Sequence, residues 1–147
     1  MALWFLGIIG VGVVVWGGMM YMNPEDRAKR EVLKYFEDLQ AQYETDMYGG
    51  ATPEETLQLF IVALEAGDIE LASRYFLPDE REQIREYFQE IKVSDGWEKV
   101  LADSRNLKLT TKREDEAFYT IANENKVVEV QVILKKNQNG VWKITDL

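Results

Sequence analysis

The chain has 147 residues, room for one modest domain plus an appended segment, and its 26 acidic against 17 basic side chains leave a formal net charge of −9. A surface of that sign repels nucleic-acid phosphate, and no run of basic residues with interleaved aromatics offsets it, so nucleic acid is not an expected partner. With no histidine and no cysteine, the commonest general base, thiolate metal sites, disulfides and Ser-His or Cys-His nucleophiles are all missing, and neither a metal nor a cofactor is expected.

From Ala2 to Met22 no residue carries a charge; at 1.5 Å per residue a helix of that length spans the ~30 Å hydrocarbon core of a bilayer. Residues 2–22 are therefore expected to be a transmembrane anchor, with the lipid bilayer as partner and Trp4 and Tyr21 near the two interfaces. A cleaved signal peptide fits less well, because a basic leading segment is missing and Met19, Met20 and Met22 crowd the cleavage position. At 100° per residue, Gly7, Gly10, Gly17 and Gly18 share about a third of the helix circumference. Such a strip lets a second helix approach closely, either another copy or another membrane protein. Arg27, Lys29, Arg30 and Lys34 follow the anchor, and the positive-inside bias taken alone puts the rest of the chain in the cytoplasm.

Asn23-Pro24-Glu25-Asp26 has the form of a helix start: Asn at the cap, Pro at the first helical position, two acids facing the positive end of the helix dipole. Ala28, Val32, Tyr35, Phe36, Leu39 and Tyr43 follow at helical spacing. The spacing predicts an amphipathic stalk over 23–50 in which Val32, Tyr35, Phe36 and Leu39 are candidates for helix association, closed by a linker at Asp46–Ala51 where Gly49-Gly50 breaks the helix. Thr52-Pro53-Glu54-Glu55 is a capping box, after which Leu57, Phe60, Ile61 and Leu64 line a buried face until Gly67. Asp68 caps the next helix, with Ile69, Leu71, Ala72, Tyr75 and Phe76 apolar, and Leu77-Pro78-Asp79 turns the chain. A third helix carries Ile84, Tyr87, Phe88 and Ile91, and Ser94-Asp95 opens a short fourth with Trp97, Val100 and Leu101. After Asn106 the period becomes two, predicting strands over 107–112, 116–122, 126–136 and 141–146 in an antiparallel meander. In the third, the face of Val128, Val130, Val132 and Leu134 is the expected core face. Helices first and strands second give an α+β fold over 51–147.

Thr52-Pro53-Glu54-Glu55 with Leu57 and Phe60, Ala63-Leu64-Glu65-Ala66-Gly67-Asp68, Ala72 with Tyr75-Phe76, and the closing Gly140-Val141-Trp142-Lys143-Ile144 resemble the nuclear transport factor two-like superfamily, in particular its small membrane-anchored bacterial members. The resemblance implies three to four helices packed on a curved four-stranded antiparallel sheet, a cone-shaped domain whose cavity polarity decides its activity. It also implies an extracytoplasmic domain on a single-pass cell-membrane protein, against the charge bias. Some relatives are ketosteroid isomerase-like enzymes that use a Tyr and buried acids; on that pattern Tyr75, Tyr119 and Glu129 are cavity-lining candidates, with Trp97, Phe118 and Trp142 as apolar walls. The alternative is that these aromatics fill the core and no catalytic residue exists. The acidic runs Asp79-Glu80-x-Glu82 and Glu114-Asp115-Glu116 lack the ligand spacing and turn glycine of a calcium loop. The expected function is a membrane-tethered, non-catalytic binding or scaffolding domain; the alternatives are a small-ligand-binding or isomerase-type protein, and a subunit of an oligomer or filament assembled through the glycine strip and stalk.

Overall fold

The computed structural model describes residues 24–122 and 128–147; the expected anchor 2–22, with Gly7, Gly10, Gly17 and Gly18, lies outside them. Among the described residues no helix is long and apolar enough to cross a membrane. The chain divides into two compact units, Met1–Asp38 and Leu39–Leu147. Helix α1, Pro24–Thr45, begins at the Asn-Pro signal with Glu25 and Asp26 in its first turn, where the exposed peptide N–H groups favour negative charge. In the first unit every described residue of α1 is exposed, Val32, Leu33, Tyr35 and Phe36 included. The Tyr35 and Phe36 rings meet edge-on at 5.8 Å.

The second unit continues with α2 (Pro53–Glu65), α3 (Ile69–Ser73), α4 (Arg81–Val93) and α5 (Trp97–Asn106), then β1 (Lys108–Lys112), β2 (Glu116–Ala122), β3 (Val128–Lys136) and β4 (Trp142–Asp146). The strands form one antiparallel sheet in the order β1-β2-β3-β4, so the α+β meander expected from the change of period is present. Local chemistry explains the boundaries. The Thr52 hydroxyl accepts from the Glu55 N–H, and the Glu55 carboxylate accepts from the Ala51 N–H at 2.8 Å, one residue ahead of the cap itself. Gly67, at φ 68°, ends α2 with a paired closure: its N–H donates to the Leu64 carbonyl and that of Asp68 to the Ala63 carbonyl. That backbone conformation costs a side-chain-bearing residue energy and glycine none.

One face of the sheet meets the helices. Ala117 and Tyr119 of β2, Val132 and Leu134 of β3, and Trp142 and Ile144 of β4 are buried with Leu57, Phe60, Leu64, Phe76, Phe88 and Leu101. Phe60, Phe76 and Phe88 form a ring cluster with centroids 5.6–6.3 Å apart. The valine face of β3 is the core face at Val132 and Leu134, partly so at Val130, and exposed at Val128.

The two sheet edges are treated differently. β1 is exposed along its whole length and carries Lys108 and Lys112, charges that discourage strand addition. The outer edge of β4 is covered by chain: the Ile144 N–H donates to the Tyr75 carbonyl, and the Trp142 N–H to the Gly50 carbonyl. The connection at 46–51 is non-helical and lies packed along this edge. Asp46 and Gly50 are buried, the Thr56 hydroxyl bridges the Gly50 N–H and the Trp142 carbonyl, and the side chains of Asn137 and Asn139 donate to the Asp46 carbonyl. A Cβ on Gly49, whose φ is 145°, would lie 2.3 Å from the Trp142 carbonyl oxygen. The glycines therefore allow a close approach rather than loose tethering.

Truncating Phe76→Ala removes the ring shared by Phe60 and Phe88 and is expected to cost about 3–5 kcal/mol, whereas Thr52→Ala, which loses only a cap, should cost ~1 kcal/mol. Urea unfolding of the full chain in a non-ionic detergent, followed by tryptophan fluorescence, measures both. A loss at Phe76→Ala no larger than at Thr52→Ala contradicts this account of the core.

Candidate functional site

The most constrained chemistry in the second unit is a buried ion cluster around Lys143. Alternation along β4 would send this side chain away from the core, between Trp142 and Ile144. Yet Lys143 is fully buried, because the 46–50 and 74–76 segments lie over that edge. Its ammonium donates to the Tyr48 carbonyl at 2.7 Å and the Arg74 carbonyl at 2.5 Å, and pairs with Asp46 Oδ2 at 2.9 Å. The same carboxylate oxygen meets Arg81 Nη2 at 2.8 Å, and Asp46 Oδ1 accepts the Tyr48 N–H. Burial pushes the Lys143 ammonium down to about 8 from the ordinary 10.5, against the pull of Asp46. A lysine so shifted is a nucleophile in some enzymes, but here the ammonium is enclosed by two carbonyls and a carboxylate and no face of the group reaches solvent. The arrangement is a clamp. The sequence offered little signal for it beyond a lysine set between two core residues of a strand.

A cleft of about 370 Å³ opens between the sheet and helices α4 and α5. Tyr87, Val100, Leu107 and Val130 supply its apolar wall, and Asp103, Ser104, Gln131 and Asp146 its polar groups. None of the aromatic candidates lines it. Tyr75, Tyr119 and Trp142 are buried in the core. Trp97 is half-buried against it, its ring edge-on to Phe88 at 6.1 Å and under the Lys92 ammonium at 5.5 Å. Phe118 lies on the opposite sheet face, where it pairs with Ile133 and stacks under the Arg113 guanidinium. Phe118 and Tyr119 are consecutive in a strand and cannot share one cavity. Glu129 belongs to β3, and its side chain lies outside the described residues.

An oxyanion-type site needs a phenol aimed into a cavity beside a carboxyl group. The Tyr119 hydroxyl is instead sealed in the core without an acceptor among the described residues, and burial, reinforced by the charge of Glu54, pushes it up to about 12. Burial also raises Tyr75. Tyr43, raised by burial and by its hydrogen bond to Asp79, ties the C-terminal end of α1 to the turn before α4. That bond gives Asp79 a structural partner. Glu80 is shifted up by burial, with Asp79 adding to the effect. Among the described residues no group of three or more acidic side chains is arranged to hold a metal ion. Compared with models of known protein families, with curated proteins and with solved structures, the chain shows no match.

The clamp has a pH signature whose sign follows from linkage. The folded-state value of Lys143 lies below its unfolded one, so between about pH 8 and 10 the unfolded chain keeps a proton that the folded chain has lost, and stability should rise by on the order of 2 kcal/mol. Above pH 10 the sign reverses, because Tyr43, Tyr75 and Tyr119 ionise in the unfolded chain while still protonated in the fold. Urea midpoints measured from pH 7 to 11 are expected to pass through a maximum near pH 10. Lys143→Met should abolish the rise and keep the fall; an unchanged profile in that variant contradicts the assignment.

Proposed function

We propose that the chain is a membrane-tethered, non-catalytic binding or scaffolding protein, anchored through residues 2–22 and carrying a nuclear transport factor two-like domain outside the cytoplasmic membrane. The observation that carries the proposal is the apolar patch on α1. Val32, Leu33, Tyr35 and Phe36 are each more than half exposed, on a helix whose remaining positions in the first unit are charged or small. Aromatic side chains with an apolar body and little rotamer freedom are favoured anchors of protein contacts. The buried positions of Tyr75, Tyr119 and Trp142 support a core role for these aromatics. The partner is a second copy or another membrane protein, and in the first case the glycine strip Gly7, Gly10, Gly17 and Gly18 extends the contact within the bilayer. The 370 Å³ cleft favours a second reading, small-ligand binding, since its volume and apolar wall fall in the range of such sites.

A photo-crosslinking amino acid placed at Phe36 in intact membranes is expected to trap a protein adduct, either a dimer of this chain or a heterologous complex. The adduct should vanish in Val32→Asp, whose effect on folding stability at an exposed site should stay within about 0.5 kcal/mol. Absence of any adduct, with the chain correctly inserted, removes the stalk from the proposal. Sidedness is checked separately: protease added to spheroplasts should cleave the domain, and protection until the membrane is lysed would place it in the cytoplasm.

A further inference from the structure

On the second unit, away from the sheet-helix cleft, a polar cleft of about 410 Å³ is lined by three arginines, Arg74, Arg81 and Arg85, together with Glu70, Glu82 and Ser73. In a chain of net charge −9 this is a local excess of positive charge. The guanidinium groups are drawn together by shared partners. Arg74 and Arg85 converge on the Glu70 carboxylate, at 3.8 and 3.2 Å, and Arg81 reaches the Arg74 carbonyl at 3.3 Å. Their bases are fixed in helices: Arg74 caps the end of α3, while Arg81 and Arg85 stand one turn apart at the start of α4. Arg74 is further held over the Tyr48 ring and donates to its hydroxyl.

We propose that this cleft binds a phosphate group. A closed salt-bridge network would balance charge and use its donors, and neither holds here. Each guanidinium has five N–H donors, and the acceptors within reach leave most of them unused. The Nε–H groups of Arg81 and Arg85 are buried with no acceptor among the described residues. The two acids of the cleft are more exposed than the arginines they pair with, 56% and 69% for Glu70 and Glu82 against 41% and 31% for Arg74 and Arg85, while Arg81 is held from behind by the buried Asp46. They can swing into solvent when an incoming anion replaces them. Three converging guanidiniums suit a tetrahedral phosphate, which offers an oxygen to each, better than a carboxylate, which the cleft already supplies from within. The phosphate comes either from a soluble phosphate or phosphomonoester or from an anionic phospholipid headgroup. The proposal rests on neither the anchor nor the stalk patch, and its failure leaves the proposed function standing.

The test uses the full chain in a non-ionic detergent, with the arginine Nε–H resonances of Arg81 and Arg85 as readout. Inorganic phosphate is expected to shift both saturably. Arg85→Gln and, as a second variant at a more exposed position, Arg74→Gln should each weaken binding at least about tenfold, the loss of one charge-assisted contact. Glu70→Gln, which removes the competing carboxylate, should tighten it. Shifts that occur only in nanodiscs containing phosphatidic acid, and not with inorganic phosphate, support the site with a lipid headgroup as the source. No saturable shift with either probe overturns the proposal. Equal saturation by succinate also overturns it, as does weakening rather than tightening in Glu70→Gln, which would mark the arginines as purely structural.

Discussion

The fold of the second unit depends on the charge cluster that Lys143, Asp46 and Arg81 form beneath the edge of β4. Burying charges costs several kcal/mol each unless they are paired and hydrogen-bonded. The clamp offsets part of that cost by setting the Lys143 ammonium against one carboxylate and two carbonyls, although burial still outweighs the pull of Asp46 and the Arg81 Nε–H has no acceptor among the described residues. Those partners come from three separate stretches of chain. The loop after α1 gives Asp46 and Tyr48, the end of α3 gives Arg74, and the start of α4 adds Arg81. Truncating one of these side chains would leave its buried partners without the contacts they are placed for, whereas loss of the Lys143 proton alone relieves the cost of burying that charge. Lys143 therefore fixes which segments may lie against β4. Their backbone hydrogen bonds then complete the closure of an edge that would otherwise be open to another strand.

With that edge closed, the sheet has one apolar face, and the helices have one place to pack. The ring cluster of Phe60, Phe76 and Phe88 sits where α2, the segment after α3, and α4 come together. Tyr119 and Trp142 approach from the sheet. The core thus takes up Tyr75, Tyr119 and Trp142. The sheet-helix cleft lies to one side, between α4, α5, β3 and the end of β4. Its walls are mostly residues of modest size.

Much of the fold was legible in the sequence because its signals are local. The Asn-Pro and Thr-Pro starts, the Gly67 stop and the switch from helical to alternating period place five helices and four strands, apart from the stretch 123–127 that lies outside the described residues. The clearest miss is the helix after Asp68, expected to carry Tyr75 and Phe76 but ending at Ser73, with Phe76 bridging to Ile144 instead. The errors share one cause, which is that pairing across long sequence separations leaves no local trace. Gly49-Gly50 reads in the sequence as a helix break, and only the fold shows that these glycines also permit contact with Trp142, far along the chain. Lys143 looks like an ordinary polar position in a strand, and only the arrival of Asp46 and the end of α3 turns it inward. The pairing of Phe118 with Tyr119 as cavity candidates is a different matter. Period-two alternation already places neighbours on opposite faces, so that separation could have been read from the residues alone.

The arginines of α3 and α4 extend the same lesson to the site. In the sequence Arg74, Arg81 and Arg85 are spaced among Glu70, Asp79, Glu80 and Glu82 and read as a neutralised surface. Folding sorts them. Asp79 turns to Tyr43, Glu80 is partly buried, and Arg81 is committed on one side to Asp46, so two of the four acids leave the arginines they neighbour in sequence. The excess positive charge of the cleft thus results from where the acids go. The Asp46 interaction that fixes the β4 edge also anchors one wall of the cleft, so a perturbation of Lys143 would reach Arg81 through their shared carboxylate. Stability and anion recognition in this unit are coupled through one oxygen atom, Asp46 Oδ2.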